Sequence, residues 1–333
     1  MWLTIRSILS LAAAQFLLPS STAVSDLAGR EDQPNVSCPV PFQMIGDQCV
    51  FFSFMAPTDY QHAKKFCESV TGTLLTIKSA AQFELIINHI YEQGYLNSYW
   101  VDGSDAELED DWRFSNNESV PMHTPFWLTS ESHFTPDNDG GNENCIAIES
   151  TYDYFMNDVS CSEDHYGLCE YPLNLAVSDE VKASVECPPF YVDVNGNCLA
   201  FVTWEELTWE EASIPCIGIE GELAILNGIQ QLRDIYEYLQ EHDISEHSFW
   251  IGGSQAEGEG DWMWNDDTAI PKGSPWWGFS SNGTDNWKPE PDGGEEENCV
   301  GLSAEGFHYL RDVNCDERFS PLCMVKRTVA VAP

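Results

Sequence analysis

The sequence predicts an α+β protein built from two tandem copies of one disulfide-held domain, and three observations predict it. Cys38, Cys49, Cys67, Cys145, Cys161 and Cys169 are separated by 11, 18, 78, 16 and 8 positions, and Cys187, Cys198, Cys216, Cys299, Cys315 and Cys323 by 11, 18, 83, 16 and 8. Four gaps of five are identical, so the chain is a duplication in which one copy carries five extra residues between its third and fourth cysteines. An apolar pattern of period 3.6 occurs once in each copy at the same place, as Phe83, Ile86, Ile87 and Ile90 and again as Leu232, Ile235, Tyr236 and Leu239. The remainder alternates short apolar runs with turn residues, the signature of short strands and long loops that need covalent bracing.

From the N-terminus onward, Arg6, the apolar run Ile8–Leu18 and the small residues Ser21-Thr22-Ala23 read as a signal peptide over residues 1–23. The apolar run is too short to span about 30 Å of hydrocarbon, and Pro19 follows it, so a membrane anchor is the weaker reading. Export to an oxidising compartment gives the even cysteine count its meaning. A linker over 24–36 then leads to a first domain over 37–171, with a short helix around Asp59–Val70 and a longer one over Ser79–Gln93. Residues 172–185, with Pro172, Asn174, Ser178, Asp179 and Lys182 and no sustained apolar period, form a second linker. The second domain covers 186–326, with a helix around Thr208–Cys216 that Pro215 is expected to cut or kink, and 327–333 is a tail. At about 140 residues each half is long enough to fold alone.

With 55 acidic against 14 basic residues the formal charge is −41, which makes nucleic acid and anionic membrane poor partners. Such a surface serves solubility, or it holds divalent cations where carboxylates cluster. Asn35, Asn117 and Asn282 head N-x-S/T sequons and are glycosylation candidates in an exported chain. The eight histidines lack metal-ligand spacing, Glu295-Glu296-Glu297 reads as a solvated run with one functional member, and Trp276 and Trp277 read as core anchors. Nucleophile elbow, zincin helix and phosphate loop are all missing from the sequence, so an enzyme has little support.

Four ordered motifs, each found twice, carry a resemblance. They are Tyr99-Trp100-Val101-Asp102-Gly103 with Phe249-Trp250-Ile251-Gly252-Gly253, then Asp111-Trp112-Arg113-Phe114 with Asp261-Trp262-Met263-Trp264. Glu143-Asn144-Cys145 with Glu297-Asn298-Cys299, and Met156-Asn157-Asp158 with Leu310-Arg311-Asp312, complete the series. Together with the cysteine spacing, each half resembles a long-form C-type lectin-like domain over about 135 residues. The spacing alone permits 15 pairings per domain. The resemblance implies Cys38–Cys49, Cys67–Cys169 and Cys145–Cys161, with Cys187–Cys198, Cys216–Cys323 and Cys299–Cys315 in the second copy.

In the sugar-binding members of that family a Ca2+ ion is held by the outer residues of a cis-proline tripeptide, a Glu before a Cys, and the Asn and Asp of W-N-D, and it coordinates two vicinal sugar hydroxyls. Carried onto this chain, the resemblance implies metal ligands Asp137, Glu143, Asn157 and Asp158 in the first domain and Glu290, Asp292, Glu297 and Asp312 in the second. The implied sugar contacts are Thr135, Asp137, Glu143 and Asn157, and Glu290, Asp292, Glu297 and Arg311. Two positions depart from the pattern. Thr135 is too short to replace Glu or Gln without a bridging water, which lowers the expected affinity for calcium. Arg311 stands where the family has Asn: either it swings aside and donates to the sugar, or it pairs with Glu297 or Glu290 and replaces the metal.

The implied function is that of a secreted, extracellular lectin that binds microbial or cell-surface glycans with calcium and agglutinates cells in innate immunity, homo-oligomers remaining open. It implies neither catalysis nor membrane insertion. The alternative is the same fold used to bind a protein or mineral surface through its acidic loops.

Overall fold

The structure, a computed structural model, describes residues 37–54, 56–130, 133–173, 186–255, 260–281, 287–293 and 296–325. The expected signal peptide, the 24–36 linker, the 174–185 part of the second linker, the 327–333 tail and the sequons at Asn35 and Asn282 lie outside the described residues. Asn117 lies on an exposed bend. No helix among the described residues is long and apolar enough to cross a membrane.

The first half runs β1 (Gln43–Ile45), β2 (Gln48–Phe52), α1 (Tyr60–Ser69), β3 (Thr73–Leu74), α2 (Ala80–Gln93), β4 (Tyr99–Ser104), β5 (Thr129–Ser130), β6 (His133–Phe134), β7 (Cys145–Ile148), β8 (Met156–Val159) and β9 (Tyr166–Tyr171). The second repeats the plan with β10 (Val192–Val194), β11 (Asn197–Phe201), α3 (Trp209–Gly218), β12 (Gly221–Leu223), α4 (Ile229–Glu241), β13 (Phe249–Gln255), β14 (Trp262–Trp264), β15 (Phe279–Ser281), β16 (Trp287–Pro289), β17 (Cys299–Leu302), β18 (Leu310–Val313) and β19 (Ser320–Val325). The sheets have the orders β1-β2-β9-β4-β7-β8 and β10-β11-β19-β13-β17-β18, so in each half the first strands pair with the last and the domain closes at its base. All these pairings are antiparallel except β4 with β9 and β13 with β19.

Local chemistry sets the helix ends. Asp59 caps α1 by accepting from the His62 amide at 2.9 Å, and Ser79 caps α2 through Gln82 at 3.2 Å. Gly94 ends α2 with a left-handed φ of 65°, which costs glycine nothing. Thr208 and Glu211 form a capping box on α3. Of the expected cut or kink at Pro215, the cut does not occur: α3 runs on to Gly218. Proline removes one donor there, while the helix end is held to β19 by the Cys216–Cys323 disulfide and packed on β12.

Six disulfides join Cys38–Cys49, Cys67–Cys169 and Cys145–Cys161, and Cys187–Cys198, Cys216–Cys323 and Cys299–Cys315. Trp100 and Trp250 are fully buried beside them, and their indole N–H groups donate to the carbonyls of Thr58 and Leu207 at 2.7 and 2.8 Å. These two disulfide-rich clusters are separate. The main apolar core is not. It is continuous through both halves, from Phe83, Phe126 and Trp127 to Trp276, Trp277 and Tyr309.

The halves meet in a seam where several contacts are answered by their counterparts about 150 positions away. Thr124 Oγ1 donates to the Phe307 carbonyl, and its counterpart Ser274 Oγ donates to the Asp153 carbonyl. The Arg233 guanidinium lies 5.4 Å from the Phe126 ring centroid, and the counterpart pair is Glu84 accepting from Trp276 Nε1 at 2.7 Å. Arg233 Nη1 also donates to the carbonyls of Met122 and Thr124 at 2.6 and 2.7 Å. The arrangement is that of an isologous dimer interface made within one chain.

Candidate metal centres

In each half a cis X-Pro tripeptide follows the short hairpin: Thr135-Pro136-Asp137 after β6, and Glu290-Pro291-Asp292 after β16. Both are tied back to the same place, Thr135 N–H to the Leu128 carbonyl and Glu290 N–H to the Gly278 carbonyl, each at 2.9 Å. Strands β8 and β18 then bring Asp158 and Asp312 under the loops. Asp158 accepts from the amides of Asp137 at 3.0 Å and Asn138 at 2.7 Å, and Asp312 from those of Asp292 at 3.1 Å and Gly293 at 2.9 Å. The two aspartates therefore knit loop to strand by one scheme.

In the first half, carboxylate oxygens of Asp137, Glu143 and Asp158 all lie within 4.8 Å of one another. Glu143 Oε2 accepts from the Asp139 amide at 2.7 Å, and its own amide donates to Asn138 Oδ1 at 3.0 Å. Burial, with Asp158 and Asp137 nearby, pushes the Glu143 carboxyl up to about 7, and burial raises Asp158 as well. Asn157 donates its amide N–H to Glu149 Oε2 at 2.7 Å, so its Oδ1 is the atom suited to a cation. Thr135 is a correction. It is fully buried, and its hydroxyl donates to the carbonyls of Leu128 and Met156 at 3.2 Å, so it is not presented to a ligand. Sequence reading also missed Asp105 and Glu109. They line the same cleft of about 340 Å³ with Asp137 and Asp158, and Glu109 accepts from Asn138 Nδ2 at 2.6 Å. The D-x-x-x-E spacing on the turn after β4 is a signal that could have found them.

In the second half the clustered oxygens belong to Glu290, Asp292 and Asp312, again within 4.8 Å. Glu297 sits over Gly293, where a side chain would collide with its carboxylate. Glu290 is 3% exposed, and both carboxylate oxygens lack a hydrogen-bond partner among the described residues. Burial drives its pKa up to about 10, and neighbouring Asp312 and Asp292 add to this while Arg311 opposes it. Arg311 Nε lies 3.5 Å from Glu290 Oε1, and Lys288 Nζ lies 3.5 Å from Asp292 Oδ2. Arg311, Glu297 and Asp312 also face a cleft of about 440 Å³.

An all-oxygen donor set with a buried, unsatisfied carboxylate fits a hard divalent cation such as Ca2+, which takes six to eight oxygens and completes its shell with water or ligand hydroxyls. A model of the lectin C-type domain matches residues 56–171 and 205–325, which is most of the chain. The chain belongs to the C-type lectin domain family. Its domains are generally non-enzymatic binding modules, and the two matched stretches make this a tandem member. Among relatives, a perlucin-like protein of Mytilus galloprovincialis is 27% identical over 133 residues, covering 40% of this chain and 81% of the relative. Lactose-binding lectin l-2 of Anguilla japonica is 31% identical over 142 residues, covering 42% and 78%. The mouse scavenger receptor C-type lectin carbohydrate-recognition domain, a solved structure, is 26% identical with a TM-score of 0.34, covering 40% of this chain and 97% of that domain.

Proposed function

We propose that this protein is a secreted, calcium-dependent carbohydrate-binding lectin that recognises microbial or cell-surface glycans, with agglutination in innate immunity as its role. The observation that carries the reading is Glu290: a carboxyl group buried among Asp292 and Asp312, its oxygens without a hydrogen bond among the described residues, on the loop where the family holds its ion. Calcium, when bound, would supply a Lewis-acidic centre that takes two vicinal sugar hydroxyls. The holding residues would be Glu290, Asp292, Glu297 and Asp312 in the second domain and Asp137, Glu143, Asn157 and Asp158 in the first. These side chains would also accept hydrogen bonds from the same hydroxyls and so select among sugars by donor–acceptor geometry. Asp in the third place of both tripeptides matches the family's galactose-type pattern, and the eel relative's name records lactose binding.

A second reading rests on Arg311. Its ion pair with Glu290 places a positive charge beside the carboxylates without any metal, and the module would then bind a protein or mineral surface through its acidic loops. A glycan array with and without calcium, on wild type and on Glu143→Ala and Glu297→Ala, separates the two. Binding that is lost on chelation and reduced by the substitutions supports the lectin. A signal indifferent to both sinks the calcium bridge.

A further inference from the structure

At the centre of the seam Phe155 and Tyr309 hold the same place in their respective halves, immediately before β8 and β18. Their rings meet edge to face, with centroids 5.3 Å apart at 81°. They differ by one atom. Tyr309 carries a hydroxyl, and it donates to the main-chain carbonyl of Trp127, in the other half, at 2.7 Å. Tyr309 is 2% and Trp127 0% exposed, so neither group has water as an alternative partner.

The acceptor is well placed to matter. Trp127 is followed by Leu128, whose carbonyl takes the Thr135 amide at 2.9 Å and the Thr135 hydroxyl at 3.2 Å, and whose amide donates to the Met156 carbonyl at 3.0 Å. Thr135 opens the tripeptide that presents Asp137, and Met156 opens the strand that presents Asn157 and Asp158. A hydroxyl from the second half is therefore hydrogen-bonded to the backbone segment on which both arms of the first cluster rest. The relation runs in one direction, because Phe155 has no hydroxyl to return to the Trp277 segment.

We propose that Tyr309 is a positioning residue for the first half's metal centre, although it belongs to the second half and lies three residues before that half's own Asp312. The proposal rests on reading the Asp137–Glu143–Asp158 cluster as a cation site. Docking of the second domain then sets the geometry of the first site, and the first site depends on the tandem arrangement more than the second does.

The test uses the full chain and Tyr309→Phe, which keeps the ring and removes the hydroxyl. Calcium affinity of the first site is measured by calorimetry in an Asp292→Asn background, and that of the second in an Asp137→Asn background. Tyr309→Phe is expected to weaken the first site about three- to tenfold and to leave the second within about twofold. Amide exchange in calcium-free protein is the metal-independent arm: exchange at Leu128 and Thr135 should quicken, while Gly278 and Glu290 keep their rates. Weakening of the second site alone, or unchanged affinity and exchange at the first, overturns the proposal. A wild-type chain that binds no calcium overturns the cation reading instead, and exchange at Thr135 then decides the positioning role alone.

Discussion

Arg311 Nε lies 3.5 Å from Oε1 of Glu290, a cation set against a carboxylate that is almost wholly withdrawn from water. In the first half the corresponding buried position is filled by Thr135, whose hydroxyl is satisfied by two carbonyls. Duplication has thus produced two solutions to one problem, a polar side chain buried under a ligand loop. One half places a neutral hydroxyl there, and the other a carboxyl group with an arginine next to it.

Replacing that arginine should expose the need it meets. Arg311→Asn, which removes the charge and leaves a neutral amide, is expected to destabilise the calcium-free chain by about 1–3 kcal/mol, below the cost of breaking a fully buried pair because Arg311 is partly exposed. Calcium should recover the loss, so the gap between melting temperatures with and without calcium widens relative to wild type. An unchanged gap would show that Arg311 and the ion do not share the site.

Because one core runs through both halves, the full chain should unfold in a single transition. Calorimetric and van't Hoff enthalpies should agree for the whole molecule. Phe155→Ala, at the seam, should cost about 3–5 kcal/mol and lower the melting of both halves together. Two separated transitions in the wild type would mean that the seam contributes little.

Arg233→Lys tests the same interface by electrostatics. The lysine keeps the charge but cannot donate at once to the Met122 and Thr124 carbonyls, pair with Glu237 and stack over Phe126. A loss of roughly 1–3 kcal/mol in urea denaturation is expected. A change near zero would assign the seam's stability to its apolar contacts alone.

Acid should weaken the fold through His308. Burial lowers its pKa to about 4, against the stabilising acceptor His247, to whose carbonyl Nε2–H donates at 2.9 Å. The unfolded chain binds this proton more readily, so the neutral histidine's contribution is complete above about pH 6.5 and is lost as pH falls towards 4, by up to about 3 kcal/mol. Unfolding free energies of wild type and His308→Gln at pH 7 and pH 5 measure it. Parallel pH dependences would show that the proton is not taken up at His308.

Much of this was legible in the chain. Spacing of the cysteines showed the repeat, the 3.6 period at Phe83–Ile90 and Leu232–Leu239 marked the long helices, and the motif series led to Asp137, Glu143, Asp158, Glu290, Asp292 and Asp312, which the fold brings together. Pro215 does not cut α3, because the loss of one donor is outweighed by a disulfide and by packing. Thr135 misled because its spacing could not reveal which way its hydroxyl turns.

By itself the sequence determined the covalent frame, the duplicated α+β plan and the acidic loop residues, since periodicity and motif spacing are written along the chain. Only the tertiary structure decided that the two halves share a core, that Glu290 lies buried beside Arg311 and that Tyr309 reaches the Trp127 carbonyl. Those relations join residues about 20 to 180 positions apart, and nothing in a linear pattern specifies which buried polar group will find which partner until packing has excluded water from both.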